Sequence, residues 1–190
     1  MSDLLVLANM FFQGPSMYSF EFENINQFNS ANLSEGTYLW IWYADKIPPH
    51  IGVSIEGDYF SLKYNGKDVG LNYGKALQVI HSRKIPSVFL KVKGLISKHD
   101  VVEIFSSYSS AKVGKATCLT PLVFLFGFPD CNQLSELLVC LENKKMIQKI
   151  VGINLPKGYK GIPSYGVEEI QNRLRSLEDA KIIKHISPIG

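Results

Sequence analysis

Paired cysteines, long apolar runs and charge of one sign are all scarce in this chain, and each scarcity removes a class of protein. The three cysteines, Cys118, Cys131 and Cys140, are odd in number and widely spaced, so no disulfide framework is expected. No Cys-x-x-Cys pair occurs, and His50, His81, His99 and His185 are scattered, which argues against structural zinc. The apolar run Pro121 to Phe128 is far too short to span a bilayer. Leu4 to Phe12 is short as well, and Asp3 stands where an export signal carries positive charge. These absences together predict a reduced, cytoplasmic chain with no membrane span.

Other absences narrow the function. A formal charge of +3 is too weak to imply nucleic acid. Aromatics and lysines are also segregated along the chain, whereas stacking platforms interleave them. Neither G-x-x-x-x-G-K-[ST] nor G-x-G-x-x-G occurs, and the glycines of Gly66 to Gly74 fit no phosphate loop, so no cofactor is expected. Asp45, Glu56 and Asp58 define no paired-carboxylate geometry. There is no internal repeat and no low-complexity tract.

What is present is enough for one domain. A chain of 190 residues, 46% hydrophobic and 19% charged, can bury a core without metals or disulfides. Strand patterns fall on residues 17–23, on Tyr38 to Tyr43 (YLWIWY), on His50 to Ile55, on Tyr59 to Tyr64 and on Ser87 to Val92. Asn24 to Gly36 reads as loop. Helical spacing falls on Gly74 to Ser82 and Asp100 to Tyr108. Asp130 with Gln133 makes a variant capping box that predicts a helix from about Cys131 to Ile150, with a stripe of Leu134, Leu137, Leu138 and Leu141. Leu155 to Gly166 reads as a connector. A last helix is predicted over Val167 to Ala180, with Val167, Ile170, Leu174 and Leu177 on one face. The expected fold class is α+β: a small antiparallel sheet or partial barrel with packed helices. Residues 1–142 form the mixed core, and residues 143–190 a Lys-rich helical appendage packed on it.

The candidate chemistry begins at the hairpin that follows Pro48-Pro49. A two-residue turn at Gly57-Asp58 opposes Ser54 to Ser61, Gly52 to Lys63 and His50 to Asn65. Ile51, Val53, Ile55, Phe60, Leu62 and Tyr64 then share a core face. His50, Gly52, Ser54, Ser61, Lys63 and Asn65 share a small polar one. An imidazole doing acid–base work needs a partner to fix its tautomer, and the Asn65 carbonyl would serve. A three-residue turn over Glu56-Gly57-Asp58 would instead oppose His50 to Tyr64. A lone histidine at a strand start is also an ordinary surface residue.

Cys118 lies in Gly114-Lys115-Ala116-Thr117-Cys118-Leu119-Thr120-Pro121. A thiol becomes a nucleophile where a helix N-terminus or a cation stabilises its thiolate. Thr117 as cap would make Cys118 the first helical residue. Thr120 as cap, with Pro121 first in the helix, leaves Cys118 just ahead of it. A buried strand over VFLF is a third pattern, and a small buried hydrophobe is the plain alternative role. Cys131 and Cys140 lack a comparable setting.

The order of strand, His-Ile-Gly-Val-Ser-Ile-x-Gly-Asp-x-Phe, and then a distant Cys opening an apolar segment resembles the circularly permuted papain-like proteins. These belong to the NlpC/P60 superfamily, which includes lecithin retinol acyltransferase-like enzymes. The match covers YLWIWYADKIPPHIGVSIEGDYFSL and, more loosely, KATCLTPLVFLF, under a fifth of the chain. The resemblance implies Cys118 as nucleophile and His50 as general base. The chain departs from the family near its third polar residue, where Ser61, Leu62 and Lys63 stand. It also lacks the Asn that precedes the acyltransferase cysteine. Asn65 is placed by the hairpin count alone.

Two functions follow as expectations. One is a cysteine-dependent hydrolase or acyltransferase acting on an amide or ester bond of a peptide, amide or lipid-like substrate. The other is an inactive relative that binds a protein partner through the Lys-rich C-terminal helices, at Lys144, Lys145, Lys149, Lys157 and Lys160.

Overall fold

The computed structural model describes residues 17–28, 33–94 and 96–186. The apolar stretch Leu4 to Phe12 lies outside them. The fold is α+β. In chain order the elements are β1 (Tyr18–Glu21), β2 (Asn26–Gln27), β3 (Thr37–Trp42), β4 (His50–Ile55), β5 (Asp58–Lys63), β6 (Gly66–Asn72), α1 (Tyr73–Ser82), β7 (Ser87–Val92), α2 (Lys98–Ser106), α3 (Thr120–Leu125), α4 (Leu134–Asn143), β8 (Ile147–Ile153), β9 (Gly161–Pro163) and α5 (Val167–Ile186). Seven strands form one sheet in the order β2-β8-β7-β3-β4-β5-β6, and β1 pairs with β9 apart from it. All neighbours in the large sheet are antiparallel except β2 with β8.

The aromatic run becomes β3, the middle strand, because both of its faces are covered. Leu39 and Ile41 point to the face roofed by α2, α3 and α4, where Val101, Phe105, Leu122 and the leucine stripe of α4 complete the core. Tyr38 and Trp40 point to the other face, against Ala76, Leu77 and Ile80 of α1. The period of two thus sorts one apolar run into two cores.

The structure revises the C-terminal third. The helix expected to run to Ile150 ends at Asn143, where Lys145 adopts a left-handed φ of 53°. The chain re-enters the sheet as β8, wedged between β2 and β7. Residues after 142 are therefore not helical throughout. Of the five lysines assigned to helices there, Lys149 lies on β8 and the other four on connecting segments. The helix also starts later than the Asp130 pattern implied: Gln133 is its N-cap, and Glu136 Oε2 accepts from the Asn132 N–H at 2.6 Å and the Gln133 N–H at 3.3 Å. In α5, Ile170 and Leu174 are buried and Val167 is exposed. Among the described residues no helix is long and apolar enough to cross a membrane.

Candidate cysteine-centred site

The site forms at the end of the sheet where β3 finishes and β4 begins. Residues 43–49 reverse the chain, with a cis Ile47–Pro48 bond, and leave Trp42 paired with His50, ring centroids 6.4 Å apart. The β4–β5 turn falls on Glu56-Gly57, at φ 49° and 82°, with Ile55 opposite Asp58. Left-handed dihedrals at both central residues match the right-handed twist of the strands. This turn sits one residue earlier than Gly57-Asp58, so the register shifts by two: Gly52 faces Ser61 and Ser54 faces Tyr59. Asn65 is consequently not opposite His50. It lies in the turn between Lys63 and Gly66. A shift of two preserves parity, so the division into faces survives.

That parity places Ser61 on the same row as Gly52 and, across the next strand, Asp68. Asp68 accepts hydrogen bonds from Ser61 Oγ and Lys63 Nζ, both at 2.7 Å. Gly52 is required here by its neighbours. A Cβ on it would run into the Tyr59 hydroxyl and lie 2.7 Å from the Phe60 carbonyl oxygen.

Cys118 arrives from a different part of the chain. After α2 the Ala111 N–H bonds the Lys63 carbonyl at 2.8 Å, and a bridge between Lys112 and Ala116 turns the segment toward β4. The second of the three patterns comes nearest, with Pro121 in the first turn and Cys118 just ahead of the helix, but the cap sits one residue earlier than Thr120. Leu119 is the N-cap, without a side-chain bond. Thr120 Oγ1 turns back to accept from the Thr117 N–H at 2.9 Å, and Thr117 Oγ1 accepts from the Leu119 N–H at 3.1 Å. Cys118 precedes a helix of only six residues, and its thiol lies beside the Ile51 amide, one residue from His50.

Cys118, His50, Asn65 and Asp68 all line one cavity of about 980 Å³, walled by the sheet end, α1, the segment before α3, and α5. That is at the upper end of small-molecule sites. No hydrogen bond joins the thiol to the imidazole in this resting arrangement; such bonds often tighten only with substrate.

Desolvation dominates both groups. Burial pushes the Cys118 thiol up, and the nearby amides of Ile51, Cys118 and Leu119 only partly offset it. Burial pushes His50 down to about 4; Asp68 opposes this and Lys63 reinforces it. Because Asp68 and Lys63 are paired with each other, their fields at His50 largely cancel and burial wins. The resting pair is a neutral thiol with a neutral imidazole, not a thiolate with an imidazolium. The amides at the start of α3 do favour a thiolate at Cys118, and burial outweighs them.

Two buried polar groups of this cavity wall lack a hydrogen bond of good geometry, the Trp42 Nε1–H and the Tyr59 hydroxyl, although Trp42 and Ser61 both lie close enough to the Tyr59 oxygen to pull its titration down. Tyr59 is 1% exposed. Burial drives its hydroxyl far above its usual range, so it stays a proton donor. A buried polar group without a well-made hydrogen bond is costly, and Asp45 Oδ1 and the Tyr159 hydroxyl are in the same position outside this cavity. Sequence reasoning missed Tyr59, Trp42 and Asp68. Alternation along β3 and β5 carried a signal for the first two. For Asp68 there was none, since only the pairing of β5 with β6 brings it in.

The other two thiols are less apt. Cys131 and Cys140 lie 3.6 Å apart outside the cavity, and burial and the contact with Cys140 push Cys131 up to about 12. Among the described residues no group of three or more His, Cys, Asp or Glu side chains is placed to hold a metal ion. Comparison with protein-family models, with curated proteins and with solved structures gives no match.

Proposed function

We propose that this is a cysteine-dependent hydrolase or acyltransferase acting on an amide or ester bond, built as a relative of the circularly permuted papain-like proteins. The carrying observation is that Cys118 and His50, 68 residues apart in the chain, wall the same cavity as two buried proton donors, the Trp42 Nε1–H and the Tyr59 hydroxyl.

The chemistry runs through a neutral pair. A substrate carbonyl enters between Cys118 and the Tyr59 and Trp42 donors. As the Cys118 sulfur forms its bond to the carbonyl carbon, His50 takes the thiol proton. The carbonyl electron pair moves to oxygen, and the donors hold that charge. Collapse breaks the bond to the amine or alcohol, which leaves with the proton from His50. Water or an acceptor alcohol then attacks the thioester carbon. His50 takes its proton and returns it to the departing Cys118 sulfur. Asp68 favours the cationic imidazole electrostatically during both steps, with Lys63 working against it.

The test uses p-nitrophenyl butyrate and the intact mass of the protein. The expected result is a butyryl adduct on Cys118, absent in Cys118→Ala and formed about 100-fold more slowly in His50→Gln. Equal acylation of Cys118 in the His50→Gln protein, or no adduct, sinks the reading.

A second reading rests on the raised thiol. A half-buried, protonated Cys118 also suits an inactive relative that binds a partner through its exposed lysines, Lys144, Lys145, Lys149, Lys157 and Lys160. It expects no adduct, and partner binding that survives Cys118→Ala and fails when those lysines are replaced.

A further inference from the structure

The cavity has a charge of its own. The chain carries 20 lysines and arginines against 17 carboxylates, close to balance. The cavity wall carries Lys46, Lys63, Lys75, Arg83 and Arg173 against Asp68 alone. Asp68 is already paired with Lys63 at 2.7 Å, and Lys46 leans on Asp45 at 3.5 Å. Lys75, Arg83 and Arg173 make no ion pair with any described residue. They are exposed and come from two unconnected helices, Lys75 on α1 and Arg83 at its C-cap, Arg173 on α5. Behind them the wall is apolar, with Leu62, Ala76, Ile85 and Leu174 buried.

We infer that the substrate is an amphipathic ester or amide, with an apolar portion inside the cavity and a carboxylate or phosphate held at the cationic mouth. This rests on the reading of Cys118 as nucleophile, and it adds the substrate's charge and polarity. A low-dielectric cleft lined by one sign of charge focuses its field and concentrates the opposite ion. The arginine forks add directional contacts that suit carboxylate and phosphate oxygens. The apolar interior accounts for the rest of the molecule, since an inorganic anion gains nothing from leucines.

Calorimetric titration separates this inference from the chemistry, because it needs no reaction. The probes share one ten-carbon chain and differ in head group: decanoate, decyl phosphate, decyl maltoside and decyltrimethylammonium. One or both anionic probes are expected to bind at least about tenfold more tightly than the neutral and cationic ones, weakening in high salt. Comparing decanoate with decyl phosphate identifies the head. Arg173→Glu is expected to erase the anion preference and Arg173→Lys to keep most of it. Equal affinity for all four probes, or preference for the cation, overturns the inference. If the anions bind but Cys118 takes no butyryl group, the inference about charge stands and the nucleophile reading falls. The opposite pattern leaves the nucleophile and removes the anion.

Discussion

At the scale of single residues the consequential observation is a histidine kept neutral. His50 titrates near 4 in the folded chain against an ordinary 6.5. Above 6.5 both folded and unfolded chains carry it neutral, and it contributes nothing to pH dependence. Below 6.5 the unfolded chain takes up a proton that the folded chain refuses, so stability falls as pH drops toward 4, by about 3 kcal/mol in total. Urea titrations across this window are expected to show that loss, and His50→Gln to flatten it. The acidic limb of kcat/KM is expected near 4, since a general base works only while neutral. NMR titration of the ring isolates the cause: Lys63→Met raises the His50 value by freeing Asp68, and Asp68→Asn lowers it further. A limb near 6.5 that neither substitution moves would contradict the balance described for these groups.

Among the elements, the β4–β5 hairpin decides the most. Its two faces were legible from alternation, because parity survives any even slip in register. Its turn was not, because Glu56 accepts a left-handed φ of 49° that its side chain does not favour, while Gly57-Asp58 carries the stronger local signal. The cost of that misplacement was the partner of His50. The end of α4 was hidden for a similar reason: Lys145 turns the chain at a positive φ with no glycine or proline to announce it. The leucine stripe was readable because burial enforces its spacing. The hairpin also yields a mutational test. Gly52→Ala would set a methyl group against the Phe60 carbonyl, which is backbone and cannot swing aside. A loss of roughly 1–3 kcal/mol is expected, seen as a lower melting temperature, together with displacement of Tyr59 from the cavity. An unchanged melting temperature would mean that the strands spread more easily than this packing implies.

For the whole molecule, the sheet order matters more than the chain order. A compositional break near residue 142 suggested a core with something added. Instead β8 pairs with β7 from Ser87–Ile153 to Val92–Ile147, and Ile170 and Leu174 of α5 pack with Leu62 and Ala111. A chain stopped at residue 142 therefore loses a strand from within the sheet and one wall of the cavity. It is expected to lose cooperative unfolding by circular dichroism, not merely a peripheral function. A cooperative melt in that truncated chain would show that the first 142 residues suffice. Such long-range pairing is what local sequence patterns carry least, which is why Asp68, Tyr59 and Cys118 meet only in three dimensions.

The stacked indoles of β3 have a practical side. Tryptophan occurs twice in the chain, as Trp40 and Trp42, with ring centroids 6.2 Å apart. Trp40 is sealed in the core and donates to Ser54 Oγ at 2.8 Å, while Trp42 fronts the cavity beside the Tyr59 hydroxyl. Excited near the red edge, where tyrosine does not absorb, the protein emits from this one spot. Its fluorescence is a built-in lamp beside Cys118, with Trp40 as a steady background and Trp42 as the part that changes colour when something enters.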